Sequence, residues 1–276
     1  MTVALTVFQG RAGDHNDLAI PGARLVASAL EARFGKQAQV IGTPSPALAQ
    51  DWRVELPPAL PALQAMQDRL DAIHAAGGRS VAATSRCAVS LATIPAVARH
   101  RPDLCVVWFD SHADLNTPEG TPTGYLGGLA LAGPAGLWES GLGAGLALSS
   151  IVLVGARDLD PFETDLIRDH FIPLIHARDL SGLAAAVAGR PVYIHFDCDV
   201  MDPGIVPTDY SVPGGMTLAD LEKAALILVQ TEILGIEIAE FQRAFSPEGP
   251  DVSPASLIRA LEPIWLALEA DPQTRV

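Results

Sequence analysis

The sequence predicts an α/β architecture: a single domain with a mainly parallel sheet of about eight strands, covered by helices on both faces. Three observations lead there. Short runs rich in β-branched residues alternate with longer Ala- and Leu-rich segments of helical period. The strand runs are apolar throughout, which implies burial on both faces and hence a parallel sheet under helices. At 276 residues, 49% of them hydrophobic, the chain is long enough to bury such a core.

In chain order, strands are expected over Val3–Phe8, Ala38–Ile41, Ser80–Ala83, Leu104–Phe109, Ile151–Val154, Ile172–Ile175, Val192–Phe196 and Ile233–Ile238. Helices are expected over Pro21–Phe34, Pro58–Ala75, Ala88–Arg99, Pro161–His170, Leu218–Gln230 and Pro254–Leu268. No linker, repeat or low-complexity tail stands out, so residues 1–276 read as one domain.

Composition excludes several function classes. A net charge of −14 argues against a nucleic-acid or anionic-membrane partner, since both want a basic face. No apolar run reaches the roughly 18 residues of a membrane-spanning helix. The stretch LGGLALAGPAGLWESGLGAGLALSS comes closest, and Pro134 and Glu139 interrupt it. The start, MTVALTVFQG, lacks a basic n-region and reads as a first strand rather than a signal peptide. Cys87, Cys105 and Cys198 are too few and too apolar in setting for a disulfide framework. The expectation is a cytoplasmic protein.

In a parallel sheet, ligands bind beyond the carboxyl ends of the strands. The run VVWFDSHADLN ends its strand at Asp110, His112 and Asp114. FDCDVMDP delivers Asp197, Asp199 and Asp202, GIEIAEFQ delivers Glu240, and GARDLDPFE delivers Arg157, Asp158, Asp160 and Glu163. An Asp after a strand is ordinary turn chemistry, and Asp202-Pro203 reads that way. Two acid pairs and a histidine at converging strand ends instead point to a metal, because clustered carboxylates need a cation between them. Oxygen ligands with one imidazole favour Mn²⁺ or a similar ion over structural zinc.

These motifs resemble those of the arginase–agmatinase ureohydrolases. DSHADLN is similar to that family's DxHxD motif, FDCDVMDP to its DxDxxDP motif, and VPGGM before Leu218 fits as well; the likeness runs from about Val3 to the last helix. It implies an arginase-like fold, two Mn²⁺ ions sharing bridging carboxylates, and a metal-bound hydroxide that attacks a guanidinium carbon and releases urea. By resemblance Asp110 and Asp197 bridge, His112, Asp114 and Asp199 are terminal ligands, and Asp114 doubles as a catalytic residue. Glu240 then pairs with the guanidinium, while Asn116, Thr123, Asp160 and Glu163 contact the rest of a small cationic guanidino substrate. A homo-oligomer is also implied.

Two family positions are replaced. Where the family carries GGDHS, this chain reads Thr84-Ser85-Arg86-Cys87-Ala88, and Gly127 stands where arginases place a proton-shuttling histidine. Cys87 is open to two readings, a small buried hydrophobe or a thiolate ligand favouring a softer metal such as Zn²⁺ or Fe²⁺. Arg86 is expected to pair with a leftover carboxylate such as Asp114, giving one tightly bound metal and a second site weak or absent. His15 is a candidate shuttle in place of the missing histidine, against the simpler reading of a solvated loop residue. His195 is expected to point away from the acid pair, as core or support. The leading expectation is a metal-dependent hydrolase of linear amidines; the alternative is a catalytically silent relative that binds a metal or a cationic metabolite.

Overall fold

An apolar strand needs cover on both faces, and β4 (Cys105–Phe109) shows how it is met. Cys105, Val107 and Phe109 enter one hydrophobic layer and Val106 and Trp108 the other, none more than 1% exposed. The computed structural model describes residues 2–270. Its other strands are β1 (Val3–Phe8), β2 (Gln39–Ile41), β3 (Arg79–Ala83), β5 (Ile151–Val154), β6 (Leu174–Ile175), β7 (Val192–Asp197) and β8 (Ile233–Ala239). They form one eight-stranded sheet in the order β2-β1-β3-β8-β7-β4-β5-β6, and every strand pair in it is parallel.

The helices are α1 (Ala19–Phe34), α2 (Trp52–Ala75), α3 (Ser90–His100), α4 (Pro161–Asp169), α5 (Leu183–Val187), α6 (Leu218–Leu228), α7 (Ala255–Ala260) and α8 (Glu262–Glu269). Side chains of α1, α5, α6, α7 and α8 fill the layer on one face of the sheet, and those of α2 and α3 fill the other. Among the described residues no helix is long and apolar enough to cross a membrane.

Beyond shifts of one or two residues at helix ends, three helical features differ from expectation. α2 begins at Trp52 rather than Pro58, because Asp51 accepts the Arg53 N–H at 2.9 Å as a cap, and the helix carries Pro57, Pro58 and Pro61 within it. The expected Pro254–Leu268 helix is two, divided at Leu261, where Pro263 has no N–H to return to the preceding turn. α5 went unanticipated, since five residues are too short to show a period.

Topology then places the chemistry. β3, β8, β7 and β4 are neighbours in the middle of the sheet, with Ala83 opposite Ile238, Phe196 opposite both Ile238 and Phe109, and Asp197 opposite Ala239. Their carboxyl ends are therefore level, and the segments leaving these four strands share one rim.

Candidate active site

His112 is the hub of that rim. Its backbone N–H donates to Asp110 Oδ1 at 2.7 Å, a turn that brings the ring back over the strand end it has just left. His112 Nδ1 then lies 3.2 Å from Asp110 Oδ1 and 3.2 Å from Asp199 Oδ2. Asp199 sits in the single 3₁₀ turn Cys198–Val200 after β7, held because its N–H donates to Asp197 Oδ1 and its own Oδ1 accepts the Ser111 N–H. Asp110, Asp197 and Asp199 are at most 3% exposed. Burial first, and then the charge of Asp199, push the carboxyls of Asp110 and Asp197 up, Asp197 well above its ordinary value. Asp199 goes the other way: burial opposes ionisation, but His112 overrides it. Burial and then Asp110 likewise drive Asp114 well up, on a backbone in the left-handed region at φ 51°.

A second group lies alongside. Donor atoms of Cys87, Asp197 and Glu240 lie within 4.8 Å of one another, as do those of Asp110, His112 and Asp199. The Cys87 thiol donates to Asp197 Oδ2 at 2.9 Å, and burial followed by Asp197 drives its pKa well up. Cys87 is therefore part of the hydrophobic layer beneath α2 and α3 and at the same time touches the acid cluster.

Two expectations, for Arg86 and His195, are corrected here. Arg86 does not pair with Asp114: its Nη1 donates to Glu240 Oε2 at 2.7 Å and Asp209 Oδ2 at 2.9 Å, and its Nε to Asp14 at 3.2 Å. It is fully buried, and the turn from β3 into the Cys87–Val89 3₁₀ segment carries it under Glu240 and the loop after β1. His195 does not point away from the acids. Two residues before Asp197 on the same strand, it shares that face, with Nε2 at 3.2 Å from Cys87 Sγ and Nδ1 at 2.9 Å from Glu237. Its ring stacks on Trp108 at 3.5 Å, and Trp108 Nε1 donates to Asp110 Oδ2, so the pair braces the cluster from below. Glu163 is at the cavity wall, but its oxygens accept the N–H groups of Leu115 and Asp160, which ties it to loop structure.

His112, Asp114, Asn116, Thr123, Asp158, Asp160 and Glu240 line a single open cavity with Cys87, Asp197 and Asp199. Asn116 Nδ2 donates to Asp160 Oδ2, and its buried Oδ1 has no partner among the described residues. His15 is not in that wall: its ring lies 4.2 Å from the ring of Tyr125 and its Nδ1 3.4 Å from Asp209. Beside Gly127 the space is taken, since a Cβ there would come 2.4 Å from the Tyr125 ring. Sequence reasoning passed over Tyr125 and Tyr210, which complete the wall. Tyr125 had a signal, its place in TPTGYLGG; Tyr210 had none.

The Arginase family model matches residues 17–260, most of the chain. The chain belongs to the arginase family. Membership makes it a hydrolase acting on the C–N bonds of linear amidines. It is 39% identical over 272 residues, 98% of this chain and 100% of the relative, to an N(omega)-hydroxy-L-arginine amidinohydrolase of Streptomyces lavendulae. In fold it is similar to the arginase of Bacillus caldovelox, with a TM-score of 0.79, 22% identity, and 98% and 99% of the two chains covered. The proclavaminate amidino hydrolase of Streptomyces clavuligerus is a further structural neighbour, at TM-score 0.75 and 20% identity over 98% and 93%.

Proposed function

We propose that this family member holds one divalent ion tightly through Asp110, His112 and Asp199 and hydrolyses a guanidino amino acid, an Nω-hydroxyguanidino compound first among them. One observation carries the reading: His112 Nδ1 lies equally close to two buried carboxylates at the wall of an open cavity. An imidazole nitrogen with carboxylate oxygens is a donor set for Mn²⁺ or a similar ion, and the mutual repulsion of these acids is relieved by such a charge. The 39% identity to a hydroxyarginine hydrolase along the full chain supports the choice of substrate.

A divalent ion in this setting supplies an activated water near neutral pH. Water adds at the guanidino carbon, the bond to the side-chain nitrogen breaks, and that nitrogen leaves as an amine after taking a proton. The other product is urea, or hydroxyurea from an N-hydroxyguanidine. Asp114, whose carboxyl is driven well up, is suited to hold that proton. The unpartnered Asn116 Oδ1, with Asp160 and Thr123, is suited to the α-amino end of the substrate, while Glu163 braces Asp160. A second ion beside Cys87, Asp197 and Glu240 is weakly held, because Arg86 already places a fixed cation 2.7 Å from Glu240. Manganese as the ion, the cytoplasm as compartment and a homo-oligomer as assembly belong to this proposal on family likeness.

The test is to load the protein with Mn²⁺, dialyse, count metal per chain, and screen guanidino acids for urea or hydroxyurea release. One retained ion with turnover is expected. Two ions surviving dialysis, or no release from any guanidino acid, would overturn it.

A further inference from the structure

The carboxylate that family likeness assigns to the substrate's guanidinium, Glu240, already holds a guanidinium in this chain. Arg86 Nη1 donates to its Oε2 at 2.7 Å, and its Oε1 accepts the Cys87 N–H at 3.0 Å and the Tyr125 hydroxyl at 3.3 Å. A carboxylate offers about four lone-pair sites, so three are taken and both oxygens are engaged. The paired fork by which a carboxylate selects a guanidinium needs two parallel bonds, one to each oxygen. Only a single further N–H can be accepted here.

Arg86 is not free to step aside. It is 0% exposed and tethered by Asp14 at Nε and by Asp209 at the same Nη1 that meets Glu240, and its charge is permanent. A second guanidinium entering beside Glu240 meets that fixed positive charge in a largely dry setting, where repulsion is weakly screened. Tyr125 and Tyr210 add aromatic wall to the cavity.

We propose that Arg86 is a specificity-determining positioning residue: by occupying Glu240 it turns the site from cationic guanidinium groups toward weakly basic amidines that bind uncharged. N-hydroxyguanidines are the fitting class, because the electron-withdrawing hydroxyl lowers their basicity far below that of an alkylguanidine. The inference rests on the hydrolase reading above and assigns a reason for its substrate preference.

The experiment compares L-arginine with Nω-hydroxy-L-arginine on the full-length metal-loaded protein, by kcat/KM, and on the metal-free protein, by calorimetric Kd. The wild type is expected to favour the hydroxylated substrate by about tenfold or more in both. Arg86→Gln should shrink the preference by about tenfold, mainly through a lower KM for arginine, and Arg86→Lys should restore part of it. Removing a buried cation among three carboxylates endangers folding, so Asp209→Asn serves as the second variant. Its side chain is 20% exposed, and an amide oxygen there still accepts from Arg86. With the Asp209 charge neutralised, the Arg86 charge bears more fully on Glu240, and the preference should widen. Comparable kcat/KM for both substrates in the wild type, or a preference that Asp209→Asn leaves unchanged or narrows, would sink the role of Arg86 while the hydrolase stands. Should neither substrate be turned over, the substrate assignment above fails, and the Kd values still decide for or against Arg86.

Discussion

Asp199→Ala should leave the purified protein without its ion rather than with a weaker one, since the imidazole and Asp110 alone cannot close the shell. Metal content by elemental analysis checks this, and full occupancy would remove Asp199 from the ligand set. Glu240→Gln should keep the ion yet lose about tenfold or more in kcat/KM, because charge-assisted bonds of this kind contribute roughly 1.5–3 kcal/mol. Loss of the ion instead would make Glu240 a ligand. His15→Ala should leave the pH–rate profile unmoved, as its ring packs on Tyr125 outside the cavity wall; a displaced profile would reinstate it as a shuttle. Much at this scale was legible: DSHADLN and FDCDVMDP announce carboxylates and an imidazole at strand ends. The partners of Arg86 were not, because hydrogen bonds to Asp14 and Glu240 span 72 and 154 residues of chain. His195 was misplaced by a parity that the period of a strand supplies, since residues two apart share a face.

At the level of elements, α1 shows how closely a helix can be set against the site's underside. A Cβ at Gly22 would lie 1.8 Å from the carbonyl oxygen of Phe241, in the segment just after Glu240. Helix propensity alone favours Ala over Gly by about 1 kcal/mol. The clash should reverse that sign, and Gly22→Ala should destabilise the fold by about 1–3 kcal/mol, as overpacking does. Urea titration gives the answer; a stabilised variant would mean α1 shifts freely. Strands were easier to read than helix ends. Apolar runs mark strands directly, whereas the start of α2 depends on the Asp51 cap and the break between α7 and α8 on one proline.

For the molecule as a whole, acid stability turns on a residue at the far end of the sheet from the cavity. His74, 8% exposed near the end of α2, meets Ser80 Oγ at the start of β3 through Nε2. Burial is the main cause that lowers its pKa from 6.5 to about 4. The unfolded chain therefore takes up a proton that the folded one refuses. Its contribution is whole above pH 6.5 and is lost as pH falls toward about 4, at up to about 1.4 kcal/mol per pH unit. His74→Gln should make the stability curve shallower in that window, by urea titration at a series of pH values; parallel curves would exonerate His74.

Local pattern was enough to set which segments are strands, that they lie parallel under helices, and which acids crown them, because burial and backbone period act between near neighbours in the chain. The company those acids keep lay beyond it. Whether Arg86 faces Asp114 or Glu240, which acid the buried Cys87 touches, and which aromatic rings wall the cavity are decided by the strand order β3-β8-β7-β4. That order brings together residues far apart in sequence, and the charge state of a buried carboxylate is fixed by the neighbours it meets there.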